Sequence, residues 1–410
     1  MYSLGKALNR RQGLTATALL RLALVLILIV LQSIEVSDSF PLLQAGPVWA
    51  LPSLCICMLA ASLGFSAAES RGTMAWRAFA ADQFRLSIPI YAAAVIAAMA
   101  VLGPLATNRG TGNYFGDPAT YAYLLNLVGL PQFTLPGVFE FNDLTQVVNQ
   151  NVWVAPVFVV VTAAICVDGR RRWAKAFPVI LALVIVTTAL LVQAIARPPG
   201  DNRDPAALFL AGDGLSAMLG ALFGIGLFRG RRLVPIDWRL AMVAAVAMLM
   251  LAAIGDPIWL GSAVFRILEV AASTYLCVYL ELRRPPLAWL WNRIEPYLVA
   301  MFLVSFPLQQ AATQIGPSRQ NFIVNVAAAG GAAIVIAVAY WYLIGRRIVG
   351  ERRRTALATA MAVEAEFPRA RHRVRRIDRA AIIVHLAVGL SISVFALGLL
   401  SMVYFALKHD

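Results

Sequence analysis

The sequence contains few charged residues and very little histidine or cysteine. Of its 410 residues, 14% are charged, three are histidine and four are cysteine, whereas 60% are hydrophobic. This composition excludes an ordinary soluble domain and is typical of a chain that crosses the membrane many times. The mean hydropathy of +0.74 indicates the same class. We therefore expect an all-α, polytopic membrane protein whose main solvent is lipid.

The four cysteines support neither a disulfide framework nor a zinc site. Cys55, Cys57, Cys166 and Cys277 all lie inside apolar runs, so we expect buried thiols. The sequence also lacks a phosphate-binding glycine loop, a nucleophile elbow and a metal-spaced histidine cluster. We therefore predict no metal site and no permanently bound cofactor.

The positive charge of the chain does not indicate nucleic-acid binding. The net charge is +14, but the basic residues occur in short clusters between apolar runs rather than on one soluble face. There are six such basic clusters, and if the spans alternate, all of them lie on one side of the membrane. The loops on the opposite side are poor in cations. This pattern predicts a cytoplasmic N-terminus and, for an odd number of spans, an extracytoplasmic C-terminus.

Apolar stretches long enough to cross about 30 Å of hydrocarbon predict eleven transmembrane helices. The first is too long for a signal peptide and lacks a small-residue cleavage site, so we expect it to remain as a helix. The predicted spans are 17–36, 46–68, 84–105, 152–168, 176–196, 206–228, 239–255, 257–280, 297–315, 322–345 and 381–407.

Two segments between the spans are long enough to suggest a role of their own. The outer segment 106–150 carries aromatic residues, asparagines and the acids Asp117, Glu140 and Asp143. It is suited either to cap an outward-facing site or bind sugar, or to serve as an ordinary interfacial loop. The inner segment 346–379 is rich in arginine, which suits anionic lipid head groups or a solvated linker equally well.

The first span carries a polar residue at each end of an apolar run, "RLALVLILIVLQ", which extends from Arg21 to Gln32. Eleven helical steps of about 1.5 Å and 100° place these two residues on nearly the same face, roughly 16 Å apart. We therefore expect both of them to face one cavity.

Ionisable residues at membrane depth are functional candidates, because each is costly unless it is paired or hydrated. Glu35 lies near the outer end of the first span, and Asp213 lies in the sixth. Arg266 and Glu269 lie three residues apart in the eighth; they either neutralise each other or share a cavity with Asp213 and Gln32. The only intramembrane histidine, His385, is predicted in the eleventh span, where a hydrogen bond between helices is expected.

The order of these features resembles the acyltransferase 3 family of bacterial membrane acyltransferases over about residues 15–350. The first helix of that family carries an arginine or lysine, ten residues and then a histidine, where this chain has Arg21 and Gln32. "LAASLGFSAAES" through "DQFRLSIPIY" is similar to the family's Ser-Gly-Phe segment, followed by arginine, proline and tyrosine (here Arg85, Pro89 and Tyr91).

Three later stretches extend the resemblance. "NQNVWVAPVF" is similar to the family's Asn-x-x-Trp start of a span; it keeps Trp153 but has Phe158 where an acid often follows. "FLAGDGLSAMLGALFG" resembles a glycine-containing span. "RIEPYLVAMFLVSFPLQ" resembles a late segment in which Ser305 occupies the position of a common histidine.

The resemblance implies a ten-helix bundle in the plasma (inner) membrane. This bundle would move acyl groups from cytoplasmic acyl-CoA to hydroxyls of a cell-envelope or exported glycan, free or lipid-linked. The corresponding domains are 1–350 for the bundle, 351–380 for an Arg-rich cytoplasmic linker and 381–410 for an additional helix, through which a membrane partner would bind. Arg21 and Arg85 would hold the phosphates of CoA or of a lipid pyrophosphate; anchoring to membrane lipid phosphates is the alternative. Tyr91 and Trp153 would contact substrate.

The glutamine in the first span changes the chemistry that the resemblance implies. A histidine there would act as a base near neutral pH, whereas a glutamine orients a hydroxyl but does not deprotonate it. The candidate catalytic residues are therefore Gln32 and Ser305 together with the carboxylates Glu35, Asp213 and Glu269. Two functions remain: an O-acyltransferase with an altered site, or a lapsed relative that acts as a carrier, channel or assembly partner in glycan export.

Overall fold

The computed structural model describes residues 2–4, 8, 16–37, 50–71, 76–142, 147–168, 213–254, 263–283, 288–314 and 321–348. These residues are mostly helical, and four helices are long and apolar enough to cross a membrane: 17–36, 51–70, 78–106 and 322–348. The expectation of a helical membrane protein is confirmed in this coarse form. The predicted spans 176–196 and 381–407 and the linker 351–380 lie outside the described residues.

The described ranges contain twelve α-helices and one small sheet. The helices are α1 (Thr17–Val36), α2 (Ala50–Arg71), α3 (Trp76–Ala97), α4 (Gly103–Ala106), α5 (Thr111–Gly116), α6 (Pro118–Ala122), α7 (Val154–Asp168), α8 (Asp213–Arg229), α9 (Trp238–Ile254), α10 (Ala263–Glu281), α11 (Ala288–Thr313) and α12 (Phe322–Tyr340). A π-helical turn, Ala98–Leu102, joins α3 to α4, and a 3₁₀ turn, Gln150–Trp153, leads into α7. Strand β1 (Tyr2–Ser3) pairs antiparallel with β2 (Pro235–Ile236).

Apolar side chains cover the outer surface of the helices. On α9, the exposed side chains include Met242, Val243, Val246 and Met250. Exposed apolar residues at this density are costly in water and favourable in hydrocarbon, where the helix also satisfies its own backbone hydrogen bonds. The surface therefore agrees with a membrane location.

Helices α2 and α8 pack closely because glycines remove side chains from their contact. A Cβ atom on Gly224 would lie 2.3 Å from the backbone oxygen of Ala61, and one on Gly220 would lie 2.6 Å from that of Cys57. Small residues four apart allow two helix backbones to approach in this way. The two contacts have the same sequence offset, so α2 and α8 run in the same direction.

The polar contacts give the relative directions of the other helices. Near its N-terminal end, α1 contacts α11 through Arg21 and Glu295, and near its C-terminal end through Ser33 and Gln309, so the two helices are parallel. Helix α10 contacts α2 first through Glu269 and Ser53 and further along through Glu281 and Ser62, so these two helices are also parallel. Helix α12 returns antiparallel to α11. These directions are those expected if the predicted spans alternate.

The segment between α4 and α7 forms a packed layer. Thr107 forms an isolated bridge with Val138, and the Asn142 side chain donates to the backbone oxygen of Gln310 on α11 at 2.9 Å. On its exposed side, Arg109 pairs with Asp117 at 3.3 Å and with Glu140 at 3.4 Å. Two of the three acids singled out in this segment are thus held by one arginine. Asp143 lies outside the described residues.

Candidate functional site

Two groups of polar side chains lie along helix α1, one near each end. The Arg21 group comprises Arg21, Ser62, Ser66, Glu281 and Glu295, and the Gln32 group comprises Gln32, Asn149, Asn151 and Ser305. Between them, Leu24, Val25 and Leu28 of α1 are buried in the apolar core. Arg21 and Gln32 lie on one helix as predicted, but they belong to separate groups.

The guanidinium of Arg21 is held by two serines and a glutamate. Its Nε donates to Ser62 Oγ at 2.7 Å, and its Nη2 donates to Ser62 O at 3.1 Å and to Ser66 Oγ at 2.7 Å. Its Nη1 pairs with Glu295 Oε1 at 2.7 Å. The two serines lie four residues apart on α2, so one face of that helix presents both hydroxyls to the arginine.

A second carboxylate, that of Glu281, contacts the Arg21 group through Ser62. The Ser62 hydroxyl, while accepting from Arg21, donates to Glu281 on α10. Both Ser62 and Glu281 are fully buried. A buried charge is tolerated only when it is paired and hydrogen-bonded, so Ser62 links Glu281 to the nearby cation. This contact fixes the position of Ser62 and, through it, the orientation of the guanidinium.

The Gln32 group consists of neutral amides and one hydroxyl. Gln32 Nε2 donates to Asn151 Oδ1 at 2.7 Å. Asn151 Nδ2 donates in turn to the backbone oxygen of Phe302 at 2.7 Å and to Ser305 Oγ at 3.4 Å. The Asn149 side chain caps this turn by accepting from the Asn151 amide N–H at 2.9 Å. The structure thus brings Gln32 and Ser305, both predicted from the sequence, into one hydrogen-bonded group.

Trp153 and Tyr91 adjoin the Gln32 group. Trp153 is fully buried, with its ring packed edge-on against Phe302 at a centroid distance of 5.7 Å. The Tyr91 hydroxyl donates to the backbone oxygen of Val152 at 3.2 Å. Both side chains therefore surround the turn that carries Asn151.

Several buried polar atoms of this region have no hydrogen-bond partner among the described residues. They include the acceptor Gln32 Oε1 and the donor Trp153 Nε1. Buried polar groups are almost always partnered, by protein, ligand or water. The Gln32 group thus retains capacity to hydrogen-bond a hydroxyl.

Glu269 belongs to a third group. Its Oε1 accepts from Ser53 Oγ on α2 at 2.9 Å, and Ser53 lies 3.1 Å from Ser216 Oγ on α8. Glu269 is buried, but its described contacts do not include Gln32. The side chain of Arg266 lies outside the described part of the structure, so their pairing remains a prediction.

The remaining predicted residues lie on α1, α3 and α8. Glu35 is half-buried in the last turn of α1, and Arg85 is exposed on α3. Asp213 begins α8, but its side chain is outside the part of the structure that is described. The described contacts of Arg21 are made with α2 and α11 and do not include Arg85.

Sequence reasoning missed the partners of Arg21 and Gln32. Asn151, Ser62 and Glu295 all occur within the stretches that carry the family resemblance, but their pairing spans 41 to 274 residues of sequence. The spacing of Ser62 and Ser66 was the available signal, because i and i+4 place two hydroxyls on one helix face.

The chemistry of the two groups differs. The Arg21 group offers a cation and two hydroxyls, which suits a phosphate-type anion. The Gln32 group offers neutral donors and acceptors, which orient a hydroxyl but do not remove its proton. Among the described residues, no three potential metal ligands come together.

Comparison of the chain with models of known families, with curated proteins and with solved structures found no match.

Proposed function

We propose that this chain is a plasma-membrane O-acyltransferase of the acyltransferase 3 type, with a ten-helix core and one additional C-terminal helix. The donor is acyl-CoA, bound from the cytoplasm with its phosphates at Arg21. The acceptor is a hydroxyl of a cell-envelope or exported glycan, oriented at Gln32. The observation that carries the proposal is the placement of an arginine with two serine hydroxyls at one end of α1 and a neutral amide group at the other.

The proposed reaction is a direct transfer. The acceptor oxygen attacks the thioester carbonyl, a C–O bond forms, and the C–S bond breaks. The acceptor's proton passes to the departing thiolate, which leaves as the free thiol of CoA. Gln32 Oε1 accepts a hydrogen bond from the attacking hydroxyl, and Asn151 holds the Gln32 amide in position.

A specific observation favours a second function. The side-chain contacts of Gln32 and Asn151 are with neutral groups, so no described side chain in hydrogen-bond contact with them acts as a base. Loss of a general base typically costs 10²–10⁴-fold in rate, about 3–5 kcal/mol of barrier. A lapsed relative would keep CoA or glycan binding without turnover, and would serve as a carrier, channel or assembly partner in glycan export.

The test is calorimetric titration of CoA into the full-length protein in lipid nanodiscs. Arg21→Gln should weaken CoA binding by about tenfold or more, or about 1.4 kcal/mol, because it removes the cation. Arg109→Gln is the matched control, since Arg109 also pairs with a glutamate but lies in the segment between α4 and α5. Absence of CoA binding by the unaltered protein overturns the proposal.

Acceptor-dependent release of the CoA thiol separates the two functions. A glycan acceptor should raise thiol release if the protein is a transferase. CoA binding without acceptor-dependent release favours the lapsed relative.

A further inference from the structure

Arg21 has few hydrogen-bond donors left for a ligand. A guanidinium carries five N–H groups. The Nε donor goes to Ser62, both Nη2 contacts go to α2, and Nη1 contacts Glu295. An incoming phosphate that is to bind the guanidinium through two parallel hydrogen bonds must therefore displace one of these partners.

The partners differ in how readily they can be displaced. Ser62 is fully buried and is fixed from the far side by Glu281. Ser66 is partly buried and neutral. Glu295 is the charged, accessible partner, because its side chain is 42% exposed, compared with 12% for Arg21. A ligand that approaches from the exposed side thus meets the Glu295 carboxylate before it reaches the guanidinium.

The helical turn that carries Glu295 also lacks one backbone hydrogen bond. Pro296 follows it directly inside α11. Proline has no N–H and leaves the carbonyl four residues earlier without its helical hydrogen bond. The turn that carries Glu295 is therefore held by fewer backbone contacts than a regular helical turn.

The energetics favour exchange of one anion for another. A partly exposed carboxylate–arginine pair contributes little to stability. A phosphate carries more charge and more acceptor oxygens than a carboxylate, and forms charge-assisted bidentate bonds with arginine. When a phosphate displaces the Glu295 carboxylate, the Arg21 guanidinium stays paired with an anion. If the carboxylate moved away with no phosphate bound, the guanidinium would lose its anionic partner.

We propose that Glu295 is a built-in competitor for the anion that Arg21 binds: its carboxylate occupies the arginine in the resting state and a phosphate group displaces it. This inference rests on the proposed function for the identity of the donor, but the competition itself concerns any phosphate or pyrophosphate. Glu295 thereby sets the affinity for the anionic ligand and keeps Arg21 neutralised when that ligand is absent.

The test compares Glu295→Gln with the unaltered full-length protein by titration of inorganic pyrophosphate and of CoA in zwitterionic nanodiscs. The glutamine keeps the size of the side chain and a hydrogen-bond acceptor but removes the charge. Both ligands should bind about fivefold more tightly, the ratio that corresponds to about 1 kcal/mol for the lost pair. Glu140→Gln is the matched control, because Glu140 pairs with Arg109 away from this group.

Two further arms identify the source of the anion. Adding Arg21→Gln to Glu295→Gln should abolish the gain. Repeating the titrations in nanodiscs with anionic lipid shows whether lipid phosphates compete; if they occupy Arg21, the gain for soluble ligands shrinks as the anionic fraction rises.

The outcomes separate this inference from the proposed function. Equal affinities of Glu295→Gln and the unaltered protein overturn the inference and leave CoA binding intact. Tighter pyrophosphate binding by Glu295→Gln without any CoA binding supports the competition and overturns the acyl-CoA function. If neither pyrophosphate nor CoA binds to any variant, both the inference and the proposed function are overturned.

Discussion

Gln32 donates a 2.7 Å hydrogen bond to Oδ1 of Asn151, so an amide on α1 is held by an amide from the turn before α7. Both residues are buried, and Asn151 continues the contact to Ser305 and Phe302 on α11. The bond therefore ties three separate parts of the chain together. It also means that the residue at the expected base position is oriented by neutral groups alone.

Replacing Gln32 by histidine should supply the missing base. One ring nitrogen can donate to Asn151 Oδ1, which leaves the other to accept the proton of a hydroxyl. For the proposed transferase, we expect acyl transfer from acyl-CoA to rise by about a hundredfold or more. Gln32→Asn, which keeps an amide without a base, is the control. A Gln32→His protein that binds CoA but turns over no faster than Gln32→Asn contradicts this assignment.

Removing the Asn151 side chain should destabilise the bundle. Asn151→Ala leaves the buried Gln32 amide without its partner, at a cost of about 1–3 kcal/mol. The measurement is the apparent thermal unfolding midpoint of the detergent-solubilised protein. Asn113→Ala, at an exposed asparagine, should shift the stability by no more than about 0.5 kcal/mol. Equal midpoints for the two variants would show that the Asn151 contacts contribute nothing.

The α2 and α8 contact predicts a sharp difference between two glycines on one helix. Gly224→Ala places a Cβ 2.3 Å from the Ala61 backbone oxygen, so the helices must separate, at about 1–3 kcal/mol. Gly226 has nothing within 4 Å of the equivalent position, and alanine there is a better helix former by up to about 1 kcal/mol. Unfolding midpoints should therefore fall for the first variant and stay level or rise for the second. The reverse order would refute the close packing.

Alkaline pH should weaken the segment between α4 and α7 through Tyr114. Burial raises the pKa of Tyr114 from its ordinary value of 10.0 to about 12, and its hydroxyl donates to the Met99 backbone oxygen at 2.7 Å. The folded state thus holds the proton more tightly than the unfolded state. The stability contributed by this group is complete below about pH 10 and falls as the pH rises toward about 12.

The Tyr114→Phe variant tests this pH dependence. It should be less stable than the unaltered protein at neutral pH, by about 1 kcal/mol for the lost hydrogen bond. Its unfolding midpoint should then decline less steeply above pH 10. Tyr121→Phe, at an exposed tyrosine, should retain the original slope. An unchanged slope in Tyr114→Phe would show that this phenol is not part of the alkaline transition.

The amino-acid sequence predicts the helices better than it predicts the contacts between them. The first span, 17–36, coincides with α1 because its apolar run is long and uninterrupted. The span predicted at 84–105 begins later than the helix itself, which starts at Trp76. The prediction started late because the first turns of this helix contain polar residues and are not part of the apolar run. Apolar composition predicts which residues lie in the lipid, whereas the polar ends of the helices are determined by capping and packing.

The sequence singles out the α1 members of the two polar groups but not their partners. Helical spacing places Arg21 and Gln32 on one face, and the family resemblance adds Ser305. Glu295 lies beside a basic cluster in the sequence, where its charge suggests an ordinary solvated loop. Its contact with Arg21 arises from the parallel packing of α1 and α11, which no local pattern encodes.

The most direct test of acyl-CoA binding at the Arg21 group is an electron cryomicroscopy map of the full-length protein in nanodiscs with saturating CoA. We predict density for the pyrophosphate of CoA beside the Arg21 guanidinium, with Ser62 and Ser66 in place and the Glu295 side chain displaced. A map in which Glu295 still pairs with Arg21 and CoA is absent, or lies elsewhere, contradicts the account.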